Sequence, residues 1–215
     1  MSRAATPPTR PADAPGADRW NHNLHYHRLV LDAVPPHART ALDVGTGDGL
    51  LAADLHRHVP HVVGVDLDAD VLARAAAADP GVAWVRADVL DAPFAPGSFD
   101  VVASIATLHH LPDLAAGLRR MAGLTAPGGT LVAVGMARAA ATPVDLAYEV
   151  AGVVQHQVLR RRRTYWEHTA PTAWPPPHTY AEVREVARAV LPGVRWRRLP
   201  LWRYALTWTS APTAG

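Results

Sequence analysis

The chain has 215 residues, enough for one large domain, and 49% of them are hydrophobic, ample for a packed core. It contains no cysteine, which excludes disulfides and thiolate metal sites, and every basic residue is Arg. Formal net charge is only +2, too balanced to argue for nucleic acid as a partner on its own, and no signal-peptide or membrane-spanning run is present. A soluble cytoplasmic protein, monomer or homodimer, is the expectation.

The first 17 residues, rich in Pro, Ala, Thr and Arg, read as a disordered arm before a single domain over 18–212. Within Asp18–Val34, Tyr26, Val30 and Val34 recur at helical spacing, predicting a helix that Pro35-Pro36 ends. From Thr40 strands and helices alternate. Strands are predicted over Ala41–Val44, His61–Asp66, Val82–Arg86, Phe99–Ile105 and Gly129–Gly135. Helices are predicted over Gly49–His58, Ala69–Ala78 and Leu111–Leu124. Such alternation implies a parallel sheet covered on both faces, with ligands at the carboxyl ends of its strands. Asp145–Arg163 reads as one long helix, part of a lid over 143–177. Thr179–Leu191 carries a capping-box pattern, and Val194–Leu199 with Trp202–Thr209 reads as a final hairpin turning at Pro200.

Chemistry concentrates at the strand ends. Gly45, Gly47 and Gly49 follow the first strand at alternate positions, a spacing that differs from the G-x-G-x-x-G of NAD-binding loops. Asp43 beside that loop suits a positive amine rather than a pyrophosphate. Asp66 ends the second strand, where a carboxylate accepts hydrogen bonds from a ribose diol, and Asp88 follows the third, where it suits an exocyclic amine. Each acid alone fits a loop-capping carboxylate equally well. Together they describe a nucleoside with an amino-acid-like tail.

These segments resemble those of a class I S-adenosylmethionine (SAM)-dependent methyltransferase of the small-molecule type. The matching pieces are Leu42-Asp43-Val44-Gly45-Thr46-Gly47-Asp48-Gly49, Val63-Gly64-Val65-Asp66-Leu67-Asp68 and Ala87-Asp88-Val89. Pro93–Asp100, Val101–Ser104 leading to Leu108-His109-His110-Leu111-Pro112-Asp113, and Leu124–Leu131 follow in order. The resemblance implies a Rossmann-like α/β fold with seven strands in the order 3-2-1-4-5-7-6, the last antiparallel. It implies that the three glycines approach the methionine part, Asp66 holds the ribose, Leu67 lies on the adenine, and Asp88 with Val89 reads its edge. Ser104 would offer backbone to the methionyl amine. S-adenosylhomocysteine (SAH) would be the product.

Methyl transfer from a sulfonium needs neither metal nor oxyanion hole, so proximity carries much of the catalysis. His109 and His110 are the candidate bases, with pocket shaping as the plainer role; His109 would also touch the cofactor. Asn23 and Tyr26 are candidates for the methionine tail or the substrate, and Trp20, His22, Trp166 and Trp174 for the substrate pocket. His22, His25 and His27 do not share one helical face, so no metal is expected. Trp196, Trp202 and Trp208 read as sheet packing. Arg160–Arg163 reads as a solvated helix end, with an anionic or carrier-tethered substrate, or RNA, as alternatives. The base-methylating Asp/Asn-Pro-Pro-aromatic motif is absent after the fourth strand, which holds Ser104-Ile105-Ala106-Thr107 instead. The rival to an enzyme is a SAM-binding regulatory or partner protein without chemistry.

Overall fold

The computed structural model describes residues 19–166 and 175–212. Seven strands form one sheet: β1 (Thr40–Val44), β2 (His61–Asp66), β3 (Ala83–Arg86), β4 (Phe99–Ile105), β5 (Thr125–Gly135), β6 (Arg195–Leu199) and β7 (Arg203–Thr209). Their spatial order is β3-β2-β1-β4-β5-β7-β6, parallel except for β7, which runs antiparallel to both β5 and β6. This is the expected α/β arrangement. The reversal of strand order falls between β1 and β4, where such sheets bind ligands.

The strands are apolar on both faces because both are covered. Leu42, Val102, Leu131 and Leu206 pack on one side with α4 (Leu114–Leu124) and α6 (Tyr180–Val190). Ala41, Val101, Ala103 and Val132 alternate to the other side, meeting Ala52 and Leu55 of α2 (Leu50–His56) and Val30 of α1 (His27–Leu31). Helix starts follow their caps. Asp68 accepts from the Asp70 and Val71 amides at α3 (Ala69–Ala78), and Thr179 with Glu182 closes the capping box of α6.

The amino-terminal segment departs from the single helix expected over 18–34. Helical backbone is confined to a 3-10 turn at Leu24–Tyr26 and the short α1. The Asn21 carboxamide accepts from the Asn23 and Leu24 amides, a side-chain turn that holds the preceding chain out of the helix. Arg19–Trp20 instead pairs in parallel with Thr164–Tyr165, a two-residue ribbon outside the main sheet. Asp18 and the arm over 1–17 lie outside the described residues.

The long helix is present as α5 (Pro143–Arg162), capped by Thr142 and ending at the exposed Arg160, Arg161 and Arg162. Its continuation toward 169 is cut by the ribbon strand at 164–165. Arg198 on β6 ties α5 down through an ion pair with Asp145 and a longer one with Glu149, while its guanidinium stacks 3.7 Å from the centre of the Tyr180 ring. Trp202 Nε1 donates to Glu149 at 2.7 Å. Among the described residues no helix is long and apolar enough to cross a membrane.

Candidate active site

One cavity of about 860 Å³ lies along the carboxyl edge of β1–β5, bounded by α5 and by the segment around Asn21–Leu24. Its size suits a nucleoside-sized molecule together with a small partner. The first wall is the loop after β1. Gly45, Gly47 and Gly49 all have positive φ, which side chains disfavour. Their surroundings differ. A Cβ on Gly45 would come within 2.1 Å of Thr107 Oγ1, and one on Gly49 within 2.4 Å of the Trp84 ring, whereas one on Gly47 meets nothing within 4 Å. Gly45 and Gly47 therefore line the cavity; Gly49 does not, because it starts α2 and is packed beneath Trp84 and Ala75.

Asp43 sits beneath this loop, 2% exposed, and accepts from Thr46 Oγ1 at 2.6 Å. Burial raises its carboxyl to about 6, against the opposing hydrogen bond from Thr46 and the field of His27. Asp66 accepts from the Gly47 amide at 2.9 Å and from the Asp68 amide at 3.0 Å. These bonds hold the carboxylate at the cavity edge and leave lone pairs for a ligand. Asp88 accepts from the Leu90 amide at 2.9 Å, and Leu67 and Val89 line the same end. The structure thus brings Asp43, Gly45, Gly47, Asp66, Leu67, Asp88 and Val89 together around one volume.

Beyond β4 the wall is Ile105, Ala106 and Thr107 rather than Ser104. The Ser104 hydroxyl donates to Val44 O at 3.0 Å and stitches β4 to β1 below the cavity floor. Ala106 takes a left-handed backbone, which turns the chain across the cavity toward His109. His109 is 6% exposed, and among the described residues neither ring nitrogen has a hydrogen-bond partner. Burial, with help from His110 and Arg203, depresses it to about 3, so it is a neutral imidazole at physiological pH. His110 lines the cavity with its ring 4.1 Å from that of His109, centre to centre.

The aromatic candidates divide. His22 and Trp166 line the cavity, and His22 meets His156 of α5 at 3.0 Å. Asn23 also lines it, but its carboxamide oxygen accepts from Arg203 at 3.0 Å. Tyr26 points away, donating to Pro200 O at 2.6 Å. Trp20 is fully buried behind the wall, among His22, His156 and Tyr165. Trp174 lies outside the described residues. Among those residues no group of three or more His, Asp or Glu is arranged to hold a metal ion.

Several lining residues went unforeseen, Trp202 and Arg203 among them. Trp202, read as sheet packing, sits with Leu201 in a turn where both have positive φ, and its ring faces the cavity rather than the sheet. Arg203 follows it and also lines the cavity, 5% exposed. Nothing in the sequence set Arg203 apart from the other arginines: with no glycine at 201–202, no left-handed turn was signalled there.

Comparison with known proteins decides the family. A family described as "Methyltransferase domain" matches residues 42–133. A Mycobacterium tuberculosis protein named as an uncharacterized methyltransferase is 42% identical over 195 residues, covering 89% of this chain and 97% of its own. The chain belongs to the SAM-dependent methyltransferases. A demethylmenaquinone methyltransferase of Porphyromonas gingivalis is 30% identical to this methyltransferase over 139 residues, 60% of this chain and 57% of that one. In fold it resembles a SAM-dependent methyltransferase from Aquifex aeolicus, with a TM-score of 0.59 at 15% identity over 85% of this chain and 88% of that one. It also resembles the [4+2]-cyclase SpnF, with a TM-score of 0.65 at 15% identity over 88% of this chain and 82% of that one. The cavity of the methyltransferase fits the family's cofactor. The space above Gly47 is open, and Asp43 buries a carboxyl that a cationic ligand would compensate.

Proposed function

We propose that this methyltransferase transfers the methyl group of SAM to an O, N or C nucleophile of a small molecule. The observation that carries the reading is the order of groups along the sheet rim. Asp88 follows β3, Asp66 ends β2, the glycine loop follows β1, and His109 lies beyond β4. In that order they suit adenine, ribose, the methionine tail and the acceptor. SAM supplies an activated methyl whose departure leaves a neutral thioether, so no charge need be stabilised on the leaving group.

The chain's own part is binding, orientation and exclusion of water. Asp66 would accept the ribose hydroxyls with the oxygen lone pairs that Gly47 and Asp68 leave. Asp88 and the Val89 backbone would meet the adenine edge, with Leu67 over its face. The amides around Gly45 and Gly47 would lie against the methionine tail, and Asp43 would balance its positive charge. Trp166, Trp202 and Tyr165 close the far side, keeping water from the reacting carbon. His109, depressed to about 3, is a weak proton acceptor, so its role is to hydrogen-bond and align the acceptor. The relative named for demethylmenaquinone supports a small organic acceptor.

A second reading, cofactor binding without methyl transfer, draws on the resemblance in fold to a [4+2]-cyclase. Calorimetry with SAM and SAH, followed by transfer of labelled methyl to a metabolite panel, separates the two. Turnover supports the enzyme, and binding with no turnover supports the second reading. Asp66→Ala should weaken SAM about 100-fold, since charged hydrogen bonds of this kind contribute about 1.5–3 kcal/mol each. Unchanged affinity would remove the ribose assignment.

A further inference from the structure

Among the described residues, Arg203 is a buried cation without a buried anion. It is 5% exposed, yet it lines the cavity. Of the five N–H donors of a guanidinium, one on Nη2 reaches Asn23 Oδ1 at 3.0 Å and one on Nη1 reaches Leu201 O at 3.4 Å. Nε is buried with no hydrogen-bond partner among the described residues. No carboxylate among the described residues pairs with it; the groups that act on it electrostatically are Tyr26, Tyr165 and Tyr180. Glu149, the lid carboxylate that lines the cavity, is engaged by Trp202 and Arg198. Burial lowers Arg203 only to about 10, so it carries its charge at neutral pH.

Keeping an unpaired cation there is costly, and the backbone is strained to place it. Leu201 and Trp202 hold left-handed conformations immediately before it, and Tyr26 pins the turn through Pro200 O. With Ala106, these are the three non-glycine residues of positive φ among those described, and all adjoin this end of the cavity.

We propose that Arg203 receives a carboxylate borne by the methyl acceptor. This rests on the cofactor placement argued above. Arg203 opens β7, separated from β1 by β4 and β5. At about 4.8 Å between neighbouring strands, it lies roughly 14 Å along the rim from the glycine loop. From there its side chain enters the cavity, close enough to His109 to act electrostatically on that ring, which lines the same space. A planar guanidinium matches a carboxylate by parallel hydrogen bonds, and among the described residues only one N–H on each Nη of Arg203 has a protein acceptor. The opposite end of the cavity is acidic, with Asp43, Asp66 and Asp88, and would repel an anionic acceptor that entered in reverse.

The test uses the full chain saturated with SAH and titrated with benzoate or, as the uncharged isostere, benzamide. Benzoate should raise the melting temperature of the SAH complex, and benzamide should not. Arg203→Met should abolish the benzoate response while changing SAH affinity less than about threefold, and Arg203→Lys should retain part of the response. Loss of about tenfold or more in SAH affinity on Arg203→Met would mean that the guanidinium holds the cofactor's own carboxylate, which overturns the proposal. Equal responses to benzoate and benzamide, or none, overturn it without reference to any variant. Failure of wild type to bind SAH would instead bring down the cofactor placement, and this inference with it.

Discussion

The two halves of the cavity are built by opposite means. Over β1–β3 the walls are short loops that leave their strands directly, and their carboxylates are fixed by backbone amides of the same or the neighbouring loop: Asp66 by Gly47 and Asp68, Asp88 by Leu90. Over β4–β7 the wall comes from distant pieces of chain, and its polar groups are imidazoles, a carboxamide, a carboxylate and a guanidinium. Asn23, His109, Glu149 and Arg203 meet there from four separate segments. The first half can be specified by local spacing because each residue needs only its own βα unit or the one before it. The second exists only when the lid, the hairpin and the amino-terminal segment are all in place.

Substitutions at the two halves should therefore fail differently. Arg198→Met should have the largest effect. It breaks a pair whose side chains are 8% and 11% exposed and leaves the Asp145 charge stranded, a loss of about 3–5 kcal/mol. Denaturant unfolding would register it, and SAH binding to the remaining folded protein should change little. Next comes Gly45→Ala, where strain at positive φ and collision with Thr107 together cost about 3 kcal/mol. Gly47→Ala, with open space around the added carbon, should cost only about 1 kcal/mol. Equal losses at the two glycines would contradict the description of the loop.

Asp43→Asn sharpens the comparison through pH. The folded carboxyl is raised to about 6 while the unfolded one titrates near 3.8, so the folded state holds its proton more tightly. The charged form is therefore a cost in the folded state, absent below about 4 and fully developed above about 6. Removing it should stabilise the ligand-free protein by about 1–3 kcal/mol at neutral pH. For wild type, SAM affinity should fall as pH drops through about 6 and Asp43 loses its charge, a dependence that calorimetry would find missing in Asp43→Asn. The smallest effect is expected at His109→Gln. A neutral donor and acceptor replaces a neutral imidazole, so kcat should fall less than about tenfold, with no new limb in the pH profile between about 5 and 8. A large loss with a shifted limb would restore the general base.

The same division governs what could be read from the sequence. Strands β2 and β4 and helix α3 match their predicted bounds, because alternating apolar runs there are closed by Asp, Pro or Gly. Asp66, Asp88 and the glycine loop were legible for the same reason. The Tyr26 and Ser104 hydroxyls bond within the chain and Trp20 is fully buried, so these side chains do not line the cavity. A residue's type shows that it is able to make a hydrogen bond or a stack, but only tertiary packing decides whether the partner is a ligand or Pro200 and Val44. Gly49 shows the reverse. Its spacing was read as ligand approach, while its small size answers to Trp84. Arg203 was invisible because its distinction is burial without a counter-ion, a property of surroundings contributed by chain far from it.

The two-residue ribbon that joins Arg19–Trp20 to Thr164–Tyr165 has a consequence for the order of assembly. It closes one of the longest loops in the chain with very few hydrogen bonds, and Tyr165 stays 40% exposed. Loop-closure entropy places such a contact among the last to form and the first to open. The cofactor end, made from neighbours in sequence, can thus be complete while the other end is still an open mouth. Closing that mouth is a late step that buries Trp20 and leaves the sheet beneath it unchanged.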